Sequence, residues 1–271
     1  MRILVKVGGA PLIDSAGRQR FARSVQSARA AGHEILVVHG GGEQIRTWCR
    51  RLGIADNYVQ GLRVTDPATA EVVQAVLPGS VGKSLVSALE REGSPAVGLC
   101  GADGRCYQAR PLRIDGADLG LVGEVCEVRP ELPLALLELG YVPVLASVAP
   151  LADEASGDPE RLYNVNADHA AAPLAVALAV DALLFLSDVA AVRDAQGQAL
   201  ANLSPATQTA LQASGALAGG MLPKVQAALS AAAAQPAARV VIASAERDDC
   251  ILQALEPSGG TQILSQDPIH G

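Results

Sequence analysis

Two lysines, one aspartate and several glycine pairs are the residues in this chain whose types and spacing could do chemistry. Lys6-Val7-Gly8-Gly9 follows one short β-branched run, and His39-Gly40-Gly41-Gly42 follows another. At the carboxyl edge of a parallel sheet, such glycines let backbone N–H groups approach an anion. The helix that follows then points its positive end at it. One glycine turn after a strand is ordinarily only a turn, but two in succession, one with a strand-end lysine, point to a phosphate site. Gly61-Leu62-Arg63-Val64-Thr65-Asp66 sets a guanidinium among apolar residues and glycine, which suits a bidentate clamp on a carboxylate. Asn164-Val165-Asn166-Ala167-Asp168 offers good N-cap residues, yet two alternating amides followed by a carboxylate exceed what a cap requires. Gly219-Gly220-Met221-Leu222-Pro223-Lys224 is a glycine loop with proline near a helix start and lysine just inside it.

These motifs need a scaffold, and the pattern around them supplies one. Short apolar strands are expected at 3–7, 35–38, 96–100, 142–146, 183–186, 239–243 and 262–264, alternating with helical periodicity at 18–31, 68–77, 81–91 and 130–139. That alternation predicts an α/β fold with an open, mainly parallel central sheet between helices. Residues 112–128, with glycines and alternating valines, read as a β excursion at the sheet's edge, and 57–65 as a hairpin. A boundary near Pro173 would divide the chain into lobes 1–173 and 174–271. Proline inside the helical stretch 167–179 predicts a kink.

Several chemistries are disfavoured. Gly79-Ser80-Val81-Gly82-Lys83-Ser84 mimics a P-loop, but the first required glycine position holds Leu77 and no strand leads in, so Lys83 reads as a solvated helix residue. No GxGxxG follows a strand, which argues against a dinucleotide. Five cysteines without CxxC spacing read as reduced thiols, and four scattered histidines form no ligand set, so no protein-held metal is expected. The chain has 271 residues and a formal net charge of −7, which disfavours nucleic acid. No uninterrupted apolar run approaches about 18 residues, so no membrane span is expected, and the start lacks a secretory signal. The expected address is cytoplasmic.

The order KVGG, HGGG, GLRVTD, GLCGADG, LVGEV, NVNADHAA, SDV and GGMLPKV strongly resembles the N-acetylglutamate kinases of the amino acid kinase superfamily, over nearly the whole chain. KxGG is common to the superfamily, while GLRVTD, NVNAD and GGMxPK together are narrower. The resemblance implies phosphorylation of the side-chain carboxylate of N-acetyl-L-glutamate by ATP, the second step of arginine synthesis, with Mg2+ held mainly by the ATP phosphates. It implies that Lys6 and Lys224 hold the transferring phosphoryl and that Asp168 orients both. Gly41, Gly42, Arg63, Asn164 and Asn166 would bind the acceptor. Gly8, Gly9, Ser187, Asp188, Val189, Ala190, Ala191, Val192, Gly219, Gly220 and Met221 would serve ATP.

Two departures accompany it. Ala190-Ala191 stands where the family usually has glycine, at a cost of about 1 kcal/mol if that turn needs positive φ. Pro173 replaces a small residue. The alternatives are a kinase for acetylaminoadipate or carrier-linked aminoadipate, one methylene longer, and a non-catalytic amino-acid sensor. Intact GLRVTD and NVNAD favour the shorter acceptor, and a sensor need not retain Lys6, Asp168 and Lys224. The first strand begins at the second or third residue, without the preceding helix of hexameric, arginine-inhibited relatives. The expectation is therefore an arginine-insensitive homodimer.

Overall fold

The computed structural model describes residues 1–114, 116–153, 161–217 and 220–267. Its strands are β1 (Arg2–Val7), β2 (Glu34–His39), β3 (Tyr58–Val59), β4 (Leu62–Arg63), β5 (Ala96–Cys100), β6 (Tyr107–Pro111) and β7 (Val122–Val128). They continue as β8 (Val142–Ala146), β9 (Val148–Pro150), β10 (Leu162–Val165), β11 (Ala182–Ser187), β12 (Asn202–Leu203), β13 (Arg239–Ser244) and β14 (Thr261–Ile263). The helices are α1 (Ala10–Ile13), α2 (Ser15–Ala30), α3 (Gly42–Leu52), α4 (Pro67–Ala75) and α5 (Gly82–Arg91). After them come α6 (Glu131–Glu138), α7 (Ala167–Ala177), α8 (Pro205–Ala213), α9 (Met221–Ala234) and α10 (Cys250–Ala254).

Eight strands form the central sheet in the order β12-β14-β13-β11-β1-β2-β8-β5, parallel except where β14 meets β13. Both faces are covered, which explains why its strands read as unbroken apolar runs rather than alternating ones. Successive side chains still go to opposite sides. Ile3, Val5 and Val7 join a core with Phe21 and Val25 of α2 and Leu85 and Leu89 of α5. Leu4 joins the opposite core with Ala170 and Leu174 of α7 and Val225 and Ala228 of α9.

All seven expected central strands are present. The excursion at 112–128 needs correction: only Val122–Val128 is a strand, and it belongs to a separate four-stranded sheet, β6-β7-β10-β9. Its pairing partner β6 carries a register irregularity between Gln108 and Ala109, which broke the period-two pattern that would have marked it. Pro173 sits inside α7 without ending it, so the domain boundary expected there falls within a helix. Among the described residues, Pro67–Arg91 is by length and composition long and apolar enough to cross a membrane. The expectation of no such stretch counted only uninterrupted runs. Val73, Leu77, Leu85 and Leu89 of this segment are buried in the core. Its two α-helices are joined by a π-helical turn, Val76–Val81, so the P-loop mimic is helix rather than loop.

Candidate active site

β1 ends between β2 and β11, where chain connections leave in opposite directions and an open α/β sheet has its crevice. Lys6 falls on the Leu4 face of β1, the one covered by α7 and α9. Asp168 is the second residue of α7 and Lys224 the fourth of α9, so packing those two helices over one face brings the three charges together. Lys6 Nζ lies 2.8 Å from Asp168 Oδ1, forming a largely buried ion pair. Lys6 and Lys224 are 6% and 9% exposed, so their charges are little screened. Burial lowers the Lys224 pKa, and the Lys6 ammonium adds to this against the opposing pull of Asp168 and Asp188. Burial alone would raise the Asp168 pKa, but Lys6 and Lys224 outweigh it and hold the carboxyl below its ordinary value. Asp168 and Asp188 are the counter-charges of the two ammonium groups, and an anion entering beside Lys6 and Lys224 meets two little-screened cations.

Glycines complete the anion-facing wall. A Cβ on Gly8 would stand 3.2 Å from Lys6 Nζ, so the bare backbone lets the ammonium fold back over it. Gly9 has φ +76°, a left-handed conformation that favours glycine. A Cβ on Gly41 would come within 2.7 Å of Leu77 Cδ2 and 3.1 Å of Val81 Cγ2, so the glycine loop is pressed against the π-helical turn. Gly41 caps α3 with no side-chain hydrogen bond, leaving that helix's first N–H groups without side-chain partners. The preceding His39 is fully buried and its pKa falls to about 4 because burial disfavours the cation. Its neutral ring contacts the Gly40 carbonyl at 2.9 Å through Nδ1, which must therefore carry the proton.

Arg63 reaches the same place by a hairpin. Tyr58 pairs with Arg63 and Val59 with Leu62, joined by Gln60-Gly61 with φ of 49° and 80°. Two positive φ values in a two-residue loop make a tight turn with the native strand twist. The register sets the Arg63 guanidinium over the Tyr58 ring, 4.8 Å from its centroid. Arg63 is 7% exposed and donates from Nη2 to the Gly42 carbonyl at 2.9 Å.

Lys6, Gly8, Gly9, Gly41, Gly42, Arg63, Asn164, Asn166, Asp168 and Asp188 all border one cavity of about 560 Å³. Asn164 donates to Thr65 Oγ1 at 3.1 Å, and that hydroxyl donates to the Arg63 carbonyl at 3.1 Å. Asn166 spends its side-chain oxygen on the Asp168 N–H at 2.8 Å, so it caps α7 as well as facing the cavity. The other residues expected to serve ATP are more dispersed. Ser187, Val189, Ala190, Ala191, Val192, Gly220 and Met221 are not among those bordering this cavity, and neither is Lys224, which acts on Lys6 and Asp168 from beside it. Val192 is buried and gives its N–H to Thr261 Oγ1 at 2.9 Å. Gly220 is exposed at the start of α9, and Gly219 lies outside the described residues. Neither Ala190 nor Ala191 has positive φ, so the strain expected there is absent. Among the described residues, no group of three or more His, Cys, Asp or Glu could hold a metal ion.

Sequence reasoning missed Arg46, Tyr58 and Leu77 on the cavity wall. It also missed Asp56, whose carboxylate contacts Arg63 Nη1. The hairpin register could have signalled Tyr58. Nothing local signalled the others.

Comparison with known proteins finds relatives over nearly the whole chain. A sequence description of the Amino acid kinase family matches residues 1–244. Acetylglutamate kinase from Cereibacter sphaeroides is 39% identical over 268 residues, covering 98% of this chain and 88% of that one. Acetylglutamate kinase from Nocardioides sp. is 40% identical over 270 residues, covering 97% and 84%. Among solved structures, smu.665 from Streptococcus mutans UA159 superposes with a TM-score of 0.81 at 26% identity, covering 98% and 99%.

Proposed function

Since this chain belongs to the amino acid kinase family, we propose that it transfers the γ-phosphoryl of ATP to the side-chain carboxylate of N-acetyl-L-glutamate. The products are ADP and N-acetyl-L-glutamyl 5-phosphate, the second step of arginine synthesis. The observation that carries the reading is the pairing of Lys6 with Asp168 at a cavity whose other wall holds Arg63, with Lys224 buried close enough to act on both.

The chemistry follows from charge. A glutamate-type carboxyl has an ordinary pKa of about 4.3, so the acceptor is already an anion at neutral pH and needs no general base. The obstacle is bringing that anion against a phosphate. Positive groups fixed where charge redistributes lower the barrier without reorganising during reaction. Lys6 and Lys224 serve that role, with Asp168 between them. The N–H groups of Gly9 and Gly41 face the transferring phosphoryl, and Arg63 takes the α-carboxylate with help from Asn164. Gly8, the Ser187–Val192 loop and 219–221 serve the nucleotide. Mg2+ supplies further charge neutralisation and is held mainly by the ATP phosphates. In this reading residues 1–173 carry the acceptor side and 174–271 the nucleotide side. The protein acts in the cytoplasm as a homodimer, with the sheet-edge strand β5 as the pairing surface.

ADP release measured in parallel with acetylglutamate, glutamate and acetylaminoadipate tests the assignment. Acetylglutamate should win by at least about tenfold in kcat/KM over the acceptor one methylene longer. Comparable rates with either competitor would overturn it.

A further inference from the structure

Arg63 does not stand alone. Asp56, in the loop after α3, contacts Arg63 Nη1 with one carboxylate oxygen. Its other oxygen lies 3.3 Å from Arg46 Nε and accepts a 3.3 Å hydrogen bond from the Tyr58 hydroxyl. Arg46 projects from α3, with Nη1 2.6 Å from Glu43 Oε2 and its guanidinium carbon 5.8 Å from the Tyr58 ring centroid. One carboxylate thus bridges two guanidiniums that share one aromatic ring. Both arginines border the cavity and Asp56 does not, so the bridging carboxylate backs the guanidiniums rather than filling the ligand's place.

We infer that Asp56 is a positioning residue which, by bridging Arg46 and Arg63, fixes a two-arginine clamp for the α-carboxylate of the acceptor. This rests on the proposed function and adds Arg46 and Asp56 to the acceptor site. The electrostatics explain why the bridge is needed. Arg46 and Arg63 carry like charge beside one ring, and without a carboxylate between them they repel. Arg63 is also buried, so an unmatched guanidinium there is costly. With Asp56 in place, Glu43, Arg46, Asp56 and Arg63 sum to zero charge, and both guanidiniums are held before ligand arrives. Arg63 has five N–H donors, and its Asp56 and Gly42 contacts leave others for a carboxylate in the cavity. Binding then forgoes the cost of ordering two long side chains.

The test compares acetylglutamate with its α-carboxamide on the full-length enzyme and on Asp56→Asn, a near-isosteric change. KM for acetylglutamate should rise about tenfold, while kcat and KM for ATP stay within about twofold. The preference for α-carboxylate over α-carboxamide should shrink by a similar factor, which a general loss of structure would not produce. Should Asp56→Asn fail to fold, Arg46→Gln, which removes one guanidinium of the clamp together with the far end of the bridge, should give at least as large a split. Unchanged KM and unchanged preference would overturn the inference. So would a lower KM, which would make Asp56 a competitor for Arg63. Failure of the unmodified enzyme to phosphorylate acetylglutamate would instead overturn the proposed function.

Discussion

Helices around the cavity begin in two different ways. α3 starts on Gly41 and α9 on Gly220, and neither cap residue offers a side-chain hydrogen bond to the first turn. α7 opens on the same cavity, yet Asn166 caps it, as Asp14 caps α2, Asp66 caps α4 and Ser204 caps α8. The difference separates two uses of a helix terminus. A bare start leaves N–H groups and positive dipole for an incoming anion. A capped start has its donors satisfied from within and instead becomes a rigid mount. α7 uses its start to hold Asp168 beside Lys6. A glycine start keeps the first-turn donors available, whereas a side-chain cap spends one of them within the chain.

The largest expected effect belongs to the charges that the mounts carry. Lys6→Ala and Lys224→Ala should each lower kcat by about 10²–10³, the worth of a donor at a site of developing charge, with little change in KM for acetylglutamate. Steady-state rates within a few-fold of the parent in both variants would mean that the convergence over β1 is structural. Next in size is Arg63→Lys, which keeps the charge and loses the planar fork. Calorimetry should show acetylglutamate binding weakened by about 1.5–3 kcal/mol and ATP binding little altered, since charge-assisted hydrogen bonds are worth that much.

The bare starts can be set against each other directly. Gly41→Ala drives a methyl into Leu77 and Val81, so melting should reveal a loss of about 1–3 kcal/mol, together with weaker acceptor binding. Gly220→Ala meets nothing within 4 Å and has φ −66°, so it should melt like the parent. Equal effects would show that the two glycines are not distinguished by packing. Smallest is Asn166→Ala, which removes the α7 cap at about 1 kcal/mol in a denaturant titration. A lower kcat should accompany it, because the helix turn that holds Asp168 loosens. A stability loss with unaltered kcat would detach the cap from Asp168.

The residues legible in advance were those with a local signature. Lys6 was marked by the glycines that end its strand, Arg63 by the hairpin around it, and Lys224 by the proline at its helix start. The central strands were legible because burial on both faces leaves each one a short run of apolar residues bounded by turns. The second sheet was not, because β6 and β7 pair through a register irregularity and β9 and β10 have three and four residues. Asp56 and Arg46 carry no local signature. Their significance lies in a contact made only when the loop after α3 meets the hairpin.

Sequence by itself determined the alternation of strands and helices, the glycines at two strand ends and the identities of the charged groups. These depend on side-chain period and backbone freedom, which are properties of neighbouring residues. Only the tertiary structure decided that Lys6 takes the face of β1 covered by α7 and α9, and so that residues 6, 168 and 224 become neighbours. It also decided that Asp56 lies against Arg63 and that Ala190-Ala191 turns without strain. Such outcomes depend on which surfaces exclude water together, a condition that residues far apart in the chain satisfy jointly.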